Sequence, residues 1–169
     1  MTRKVAVLGL GTRGGDIARA FHASGWAVSG FDPDPIATGV PSLKRDWSRE
    51  TTISGTVRGA DWVVICLPER LELMRKVIQR AQGEAPREAT IAVVTTDFDV
   101  DAVQGCALRP AKVLRVDQGA DGGYVIDVSS KTDASAKSDA TIVLSQLAAQ
   151  EFTPKAQPPQ PPEEKAESA

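Results

Sequence analysis

Residues 5–14 read VAVLGLGTRG, an apolar run that passes into three glycines spaced Gly-X-Gly-X-X-Gly. Helix-forming residues follow, and a second apolar run ends at Asp32, about twenty residues beyond the glycines. A strand, a glycine turn, a helix and a strand that ends in an acid form the pattern of a dinucleotide-binding unit. The context of the glycines therefore predicts a nucleotide site more strongly than the glycines alone.

Each glycine of this loop has a separate predicted role. Gly9 permits the tight turn, Gly11 lets the backbone approach a pyrophosphate, and Gly14 lets the helix pack closely on the strand. The phosphates would meet free amides at the helix N-terminus. The candidate cofactor-binding residues of the loop are Gly9, Leu10, Gly11, Thr12, Arg13 and Gly14. The alternative is a strand-turn-helix without nucleotide, in which the glycines serve packing only.

Asp32 indicates which dinucleotide fits. A carboxylate at this position accepts hydrogen bonds from both ribose hydroxyls of an adenosine, and its charge repels a 2′-phosphate. We therefore expect NAD rather than NADP. Arg13 either pairs with the pyrophosphate or extends into solvent.

Composition excludes several classes of function. The chain has 169 residues, a formal net charge of −2 and two cysteines, which suits one domain and gives no electrostatic reason to bind nucleic acid. Cys66 and Cys106 are expected unpaired, so a reducing cytoplasm fits best. No apolar run approaches the roughly 20 residues that span a bilayer. We expect a cytoplasmic protein that binds neither nucleic acid nor membrane.

The alternation of apolar and amphipathic segments predicts a Rossmann-type α/β fold, a doubly wound and mostly parallel sheet. The expected domain covers residues 1–152, and a proline- and glutamate-rich tail, residues 153–169, is expected to be disordered. Turn residues, among them Pro35, Gly39 and Pro41, predict an irregular stretch after Asp32. Expected strands cover residues 26–31, 62–67, 91–95, 113–116 and 124–128, and expected helices cover 16–24, 69–82, about 99–108 and 134–150.

Later segments carry a family resemblance. They are GADWVV at 59–64, LPER at 67–70, Thr95-Thr96, Arg109-Pro110 before residues 113–116, and VIDV at 125–128. In this order they resemble the N-terminal NAD-binding domain of the 3-hydroxyacyl-CoA dehydrogenases, and within that family the carnitine and gulonate dehydrogenase branch. The hydroxyisobutyrate and phosphogluconate dehydrogenases share the first strands, but their later segments fit less well.

The resemblance implies an NAD site and an altered catalytic centre. Glu69 matches an acidic residue near the nicotinamide-side ribose. The family's catalytic histidine and glutamate fall at Asp117 and Asp127, whereas Thr96 keeps a hydroxyl at the serine position. An aspartate is a poor base for an alcohol, although two close aspartates could share a proton through like-charge repulsion.

Three hypotheses remain open from the sequence. The first is a non-catalytic NAD(H) binder, such as a sensor or a regulatory subunit. The second is an NAD-dependent oxidoreductase that acts on a 3-hydroxyacyl-CoA or a small hydroxy acid through Asp117, Asp127 and Thr96. The third is an interaction module with a vestigial nucleotide site. The family's helical domain is expected to be missing, so a protein partner or a homodimer is expected to complete the site.

No metal site is predicted. Asp97, Asp99 and Asp101 alternate like the start of a calcium loop, but the glycine and glutamate that complete such a loop are missing. Helix capping is the better interpretation of these three residues. His22, the only histidine, is expected on the first helix near Phe21 as a surface or boundary residue.

Overall fold

The computed structural model describes residues 2–34, 47–119 and 123–151. Most of the irregular stretch predicted after Asp32 and the predicted tail, residues 153–169, lie outside these ranges. Within them the chain alternates strands and helices in this order: β1 (Lys4–Leu8), α1 (Thr12–Ala23), β2 (Ala27–Phe31), β3 (Trp47–Arg49), α2 (Ile53–Val57), β4 (Trp62–Ile65), α3 (Leu71–Glu84), β5 (Thr90–Val94), α4 (Val100–Gln104), a 3-10 turn (Pro110–Lys112), β6 (Val113–Gln118), β7 (Tyr124–Asp127) and α5 (Ala134–Glu151).

The strands form one seven-stranded sheet in the order β3-β2-β1-β4-β5-β6-β7. All neighbours are parallel except β6 and β7, which are antiparallel. The chain first adds strands on one side of β1 and then, from β4 onward, on the other. The strand order therefore reverses between β1 and β4, and the predicted doubly wound, mostly parallel sheet is confirmed.

Helices cover both faces of the sheet because alternate strand residues point to opposite faces. One apolar core includes Phe21 of α1, Trp62 of β4 and Leu144 of α5. The other joins the opposite face of the same strands to α3 through Met74 and Ile78. Strand β4 is buried along its whole length, as a central parallel strand should be.

Several element boundaries differ from the sequence prediction. Helix α1 begins at Thr12, earlier than the predicted residue 16, because its first turn packs beneath the glycine loop despite the low helix propensity of Gly14 and Gly15. Strand β4 ends at Ile65, so Cys66 lies just past the strand. Helix α4 ends at Gln104 before Gly105, short of the predicted residue 108, so Cys106 is an exposed residue outside it.

A short strand and a short helix, as well as the 3-10 turn, are missing from the sequence prediction. Strand β3 has three residues, and α2 has five, too few to show a period. Trp47 of β3 is nonetheless buried, and its ring lies 5.4 Å from that of His22. Tertiary packing, rather than local propensity, forms these elements.

None of the helices in the described part of the chain combines the length and apolar character needed to cross a bilayer.

Candidate functional site

A cleft of about 640 Å³ opens at the carboxyl ends of β1, β2 and β4. In an open α/β sheet this is the position at which reversal of the strand order creates a ligand crevice. We call it the switch-point cleft. It is lined by Leu8, Gly9, Gly11, Thr12, Arg13, Gly14, Phe31, Asp32, Pro33, Ile53, Cys66, Leu67, Pro68, Leu73 and Val77.

The three glycines of the loop serve different purposes in the structure. Gly9 has φ +101°, and a Cβ there would lie 2.1 Å from the carbonyl oxygen of Cys66. A Cβ at Gly14 would lie 1.8 Å from the carbonyl oxygen of Gly9. A Cβ at Gly11, by contrast, has nothing within 4 Å. Gly9 and Gly14 are therefore required by the fold, whereas Gly11 keeps open a space at the N-terminus of α1.

This open space has the character of a phosphate site. Gly11 is the N-cap of α1 and makes no side-chain cap, and the first turn contains no acidic residue. The first backbone N–H groups of a helix lack partners within the helix, and the helix dipole favours an anion there. Thr12 and Arg13 are exposed beside it. The residues present fit a pyrophosphate.

Asp32 lies at the end of β2 and is joined to the glycine loop. The backbone N–H of Leu10 donates to Asp32 Oδ2 at 2.7 Å, and the N–H of Asp34 donates to Oδ1 at 2.9 Å. Each carboxylate oxygen retains a lone pair that can accept a hydroxyl. Asp32 therefore holds the loop in place and presents its charge at the rim of the switch-point cleft.

Glu69 lies on the other side of the loop, just after β4. Its carboxylate accepts hydrogen bonds from Thr95 Oγ1 at 2.6 Å, the N–H of Thr96 at 3.1 Å and the N–H of Asp97 at 3.1 Å. Arg13 Nη2 lies 3.7 Å from Glu69 Oε1. Burial opposes the ionisation of Glu69, but these hydrogen bonds and Arg13 outweigh it, so the pKa of the carboxyl is lowered. Glu69 is thus a fixed anion that ties the end of β4 to the loop after β5.

The candidate catalytic residues lie farther along the same edge of the sheet. Asp117 and Asp127 both pair with Arg115, through Nη2 at 3.1 Å and Nη1 at 3.6 Å respectively. Thr96 Oγ1 lies 3.4 Å from Asp117 Oδ1. The structure thus brings all three predicted residues together, but it also places a guanidinium between the carboxylates. Its charge removes the like-charge repulsion on which a shared proton would depend.

Sequence reasoning missed Arg115 and Cys66. Arg115 is a charged residue between the buried Leu114 and Val116, and this interruption of an apolar strand is the signal that could have revealed it. Cys66 lines the switch-point cleft, and burial raises the pKa of its thiol. An un-ionised thiol is a poor nucleophile, so Cys66 contributes shape rather than chemistry.

The remaining predicted polar residues have structural positions. The side chain of Asp99 accepts a hydrogen bond from the N–H of Ala102 and caps α4, which confirms helix capping at that residue. His22 is a half-buried residue of α1 beside Trp47. Among the described residues, no group of three histidine, cysteine or acidic side chains is arranged to hold a metal ion.

Comparison with known proteins identifies the domain type. The family model of the NAD binding domain of 6-phosphogluconate dehydrogenase matches residues 4–150. The matched range includes the later segments of the chain. In the sequence analysis these segments resembled the phosphogluconate dehydrogenases less well than the 3-hydroxyacyl-CoA dehydrogenases. It confirms the prediction of an NAD-binding domain with NAD as its cofactor.

Curated relatives include L-carnitine dehydrogenases. One from Ruegeria pomeroyi, an L-carnitine dehydrogenase/betainyl-CoA thioesterase, is 30% identical over 128 aligned residues, which cover 64% of this chain and 26% of the relative. An L-carnitine dehydrogenase from Streptomyces griseus is 28% identical, covering 66% of this chain and 39% of the relative. The matched segment thus spans well under half the length of these relatives.

Solved structures share the fold. The (S)-3-hydroxybutyryl-CoA dehydrogenase from Ralstonia eutropha superposes with a TM-score of 0.78 at 17% identity, covering 87% of this chain and 61% of that one. A 3-hydroxyacyl-CoA dehydrogenase from Archaeoglobus fulgidus gives a TM-score of 0.76 at 24% identity, with coverages of 86% and 54%. These structures support the predicted resemblance at the level of the fold. By the match of its family model, the chain belongs to the family of the NAD-binding domain of 6-phosphogluconate dehydrogenase.

Proposed function

We propose that this chain binds NAD(H) in the switch-point cleft and acts as a binder, sensor or subunit rather than as a self-sufficient dehydrogenase. The main observation in support of binding is the open space at Gly11, where nothing lies within 4 Å of an added Cβ. In this proposal the pyrophosphate contacts the N-terminus of α1, and the adenosine ribose donates hydrogen bonds to Asp32. Arg13 supplies a cation to the phosphates.

The non-catalytic part of the proposal rests on the cluster at Asp117. Reversible oxidation of an alcohol needs a group that takes and returns a proton near neutral pH, a task that suits histidine. His22 is the only histidine in the sequence, and it packs beside Trp47. The residue at the family's histidine position is Asp117, and it is held in an ion pair with Arg115 at 3.1 Å.

A second candidate function is an NAD-dependent oxidoreductase. The curated relatives, named as L-carnitine dehydrogenases, favour this alternative, and Thr96 lies beside Asp117. In that case Asp117 would accept the hydroxyl proton of a small hydroxy acid, and bound NAD would supply the hydride acceptor. A protein partner or a homodimer that closes the site stays a prediction. Light scattering of the purified chain at micromolar concentration tests whether it forms a dimer.

A turnover assay separates the two candidates. NADH formation is followed with L-carnitine, 3-hydroxybutyrate and 3-hydroxybutyryl-CoA, for the wild type and for Asp117→Asn. Asp101→Asn is a matched control, since Asp101 is an exposed acid in the first turn of α4. The proposal expects NADH binding without substrate-dependent turnover in all three proteins. Turnover that is lost in Asp117→Asn and kept in Asp101→Asn would establish the oxidoreductase instead.

A further inference from the structure

The ion pair between Arg13 and Glu69 lies beside the switch-point cleft. Arg13 is the second residue of α1 and lines the cleft, while Glu69 follows β4. Arg13 Nη2 and Glu69 Oε1 are 3.7 Å apart. The pair therefore joins the predicted phosphate side of the site to the neighbouring strand ends.

Most of the hydrogen-bonding capacity of Glu69 is used within the protein. A carboxylate offers about four lone-pair positions. Glu69 Oε2 accepts from the Thr95 hydroxyl and from the N–H of Asp97, and Oε1 accepts from the N–H of Thr96. One position on Oε1 has no hydrogen bond from these three donors, and Arg13 Nη2 lies 3.7 Å from that oxygen. A ligand hydroxyl that binds Oε1 therefore competes with Arg13 for the same carboxylate oxygen.

Moving Arg13 costs little, and Glu69 stays in place when it moves. The separation of 3.7 Å exceeds that of a close charge-assisted hydrogen bond. Arg13 is exposed, and pairs of this kind contribute little because solvent screens them. The three other hydrogen bonds continue to hold the Glu69 carboxylate. The pair is thus easily exchanged rather than permanent.

The strand order decides what could replace Arg13 on Glu69. Asp32 lies after β2, on one side of the glycine loop, and Glu69 lies after β4, on the other. In a dinucleotide the two riboses flank the pyrophosphate. If one ribose lies at Asp32 and the pyrophosphate at the N-terminus of α1, the second ribose extends toward Glu69.

We propose that Glu69 determines specificity by holding Arg13 away from the phosphates, so that the site favours dinucleotides over ligands with phosphates but no second ribose. This inference rests on the proposed NAD(H) binding. The phosphates of ADP attract Arg13 away from Glu69, and ADP has no second ribose whose hydroxyl could bind Glu69 Oε1. A ligand with a second ribose also attracts Arg13 to its phosphates, but one of its ribose hydroxyls donates a hydrogen bond to Glu69 Oε1.

The test compares ADP with ADP-ribose, which adds the second ribose without the nicotinamide. Titration calorimetry is carried out on the wild type, Glu69→Gln, Arg13→Gln and the double variant. Glu72→Gln is the matched control, because Glu72 is an exposed acid of α3 that carries the same charge change. We expect Glu69→Gln to bind ADP about two- to fivefold more tightly than the wild type, without a matching gain for ADP-ribose. Glu72→Gln should match the wild type.

The double variant tests whether the gain in ADP affinity of Glu69→Gln depends on Arg13. In the Arg13→Gln background, Glu69→Gln should leave ADP affinity unchanged. The proposal would be overturned if Glu69→Gln raised the ADP affinity equally with and without Arg13, or if it raised the ADP affinity no more than Glu72→Gln does. A wild type that binds NADH but shows either of these results refutes only the role of Glu69, whereas a wild type that does not bind NADH refutes the proposed function itself.

A structure of the wild type with ADP-ribose tests the same exchange without a substitution at Glu69. The proposal expects Arg13 on the pyrophosphate and a ribose hydroxyl on Glu69 Oε1. Arg13 still paired with Glu69 in that complex would overturn it.

Discussion

A methyl group at position 11 would project into the floor of the switch-point cleft, where an added Cβ meets nothing within 4 Å. Gly11 has φ −70° and ψ −163°, a backbone conformation that alanine adopts without strain. Alanine is a poorer N-cap than glycine, but it also restricts the unfolded chain and so stabilises the fold. We expect these effects to leave the free energy of unfolding of Gly11→Ala within about 1 kcal/mol of the wild type.

Binding should respond far more strongly than folding. A pyrophosphate that contacts the backbone amides at the start of α1 needs the space that the methyl group fills. Overpacking of a close-fitting site costs about 1–3 kcal/mol, and each 1.4 kcal/mol is a factor of about ten in Kd. The Kd of NADH should therefore rise about fivefold to a hundredfold.

The assay combines calorimetric titration with NADH and thermal unfolding of the same samples. Gly83→Ala is the control, because Gly83 is an exposed residue of α3 whose added Cβ also meets nothing within 4 Å. That variant should keep the wild-type Kd, and its Tm should rise because alanine favours helix. A Gly11→Ala protein that folds and binds NADH as tightly as the wild type would refute the assignment of the phosphate site.

Three further predictions concern the cleft and the fold. Gly14→Ala should lower the free energy of unfolding by at least about 2 kcal/mol, because its Cβ would lie 1.8 Å from the Gly9 carbonyl oxygen; an unchanged Tm would contradict this packing. Asp32→Ser should lower the ratio of the NADPH Kd to the NADH Kd about tenfold, because it removes the charge that repels a 2′-phosphate, and an unchanged ratio would show that Asp32 does not select the cofactor. Asp139 accepts hydrogen bonds from Arg3 and from Trp62 Nε1, and the Arg3 guanidinium outweighs burial and lowers the pKa of the Asp139 carboxyl. Because the folded pKa is depressed, this stabilisation is present above the ordinary carboxyl pKa of about 4 and is lost as the pH falls below it. Asp139→Asn should therefore lower the Tm more at pH 7 than at pH 3, whereas an equal loss at both pH values would contradict the ion-pair account.

The fold was predictable because its signals are local and strong. The apolar run before Gly9 and the helical period of α3 each report burial on one face or both, and Asp32 marks the end of the second strand. The switch-point cleft followed from the same pattern, since the glycine spacing and the strand order together fix its place. The short β3 and α2 could not be predicted because packing against the rest of the fold, and not their own residues, decides their conformation.

The cluster of candidate catalytic residues was only partly predictable. The positions of Asp117 and Asp127 came from a family resemblance, and the structure brings them close together. The guanidinium between them could not be predicted, because it depends on the antiparallel register that places Arg115 opposite Asp127. The contacts of Glu69 likewise depend on the loop after β5, whose shape no sequence period encodes.

Titration of the wild type with NADH and with NADPH is the most direct test of the account. Energy transfer from Trp26, Trp47 and Trp62 to the bound nicotinamide reports binding, and calorimetry gives the stoichiometry. The account predicts one NADH per chain with micromolar Kd, and NADPH weaker by at least about tenfold, because Asp32 repels the 2′-phosphate. Failure to bind either nucleotide would contradict the assignment of the switch-point cleft as an NAD(H) site.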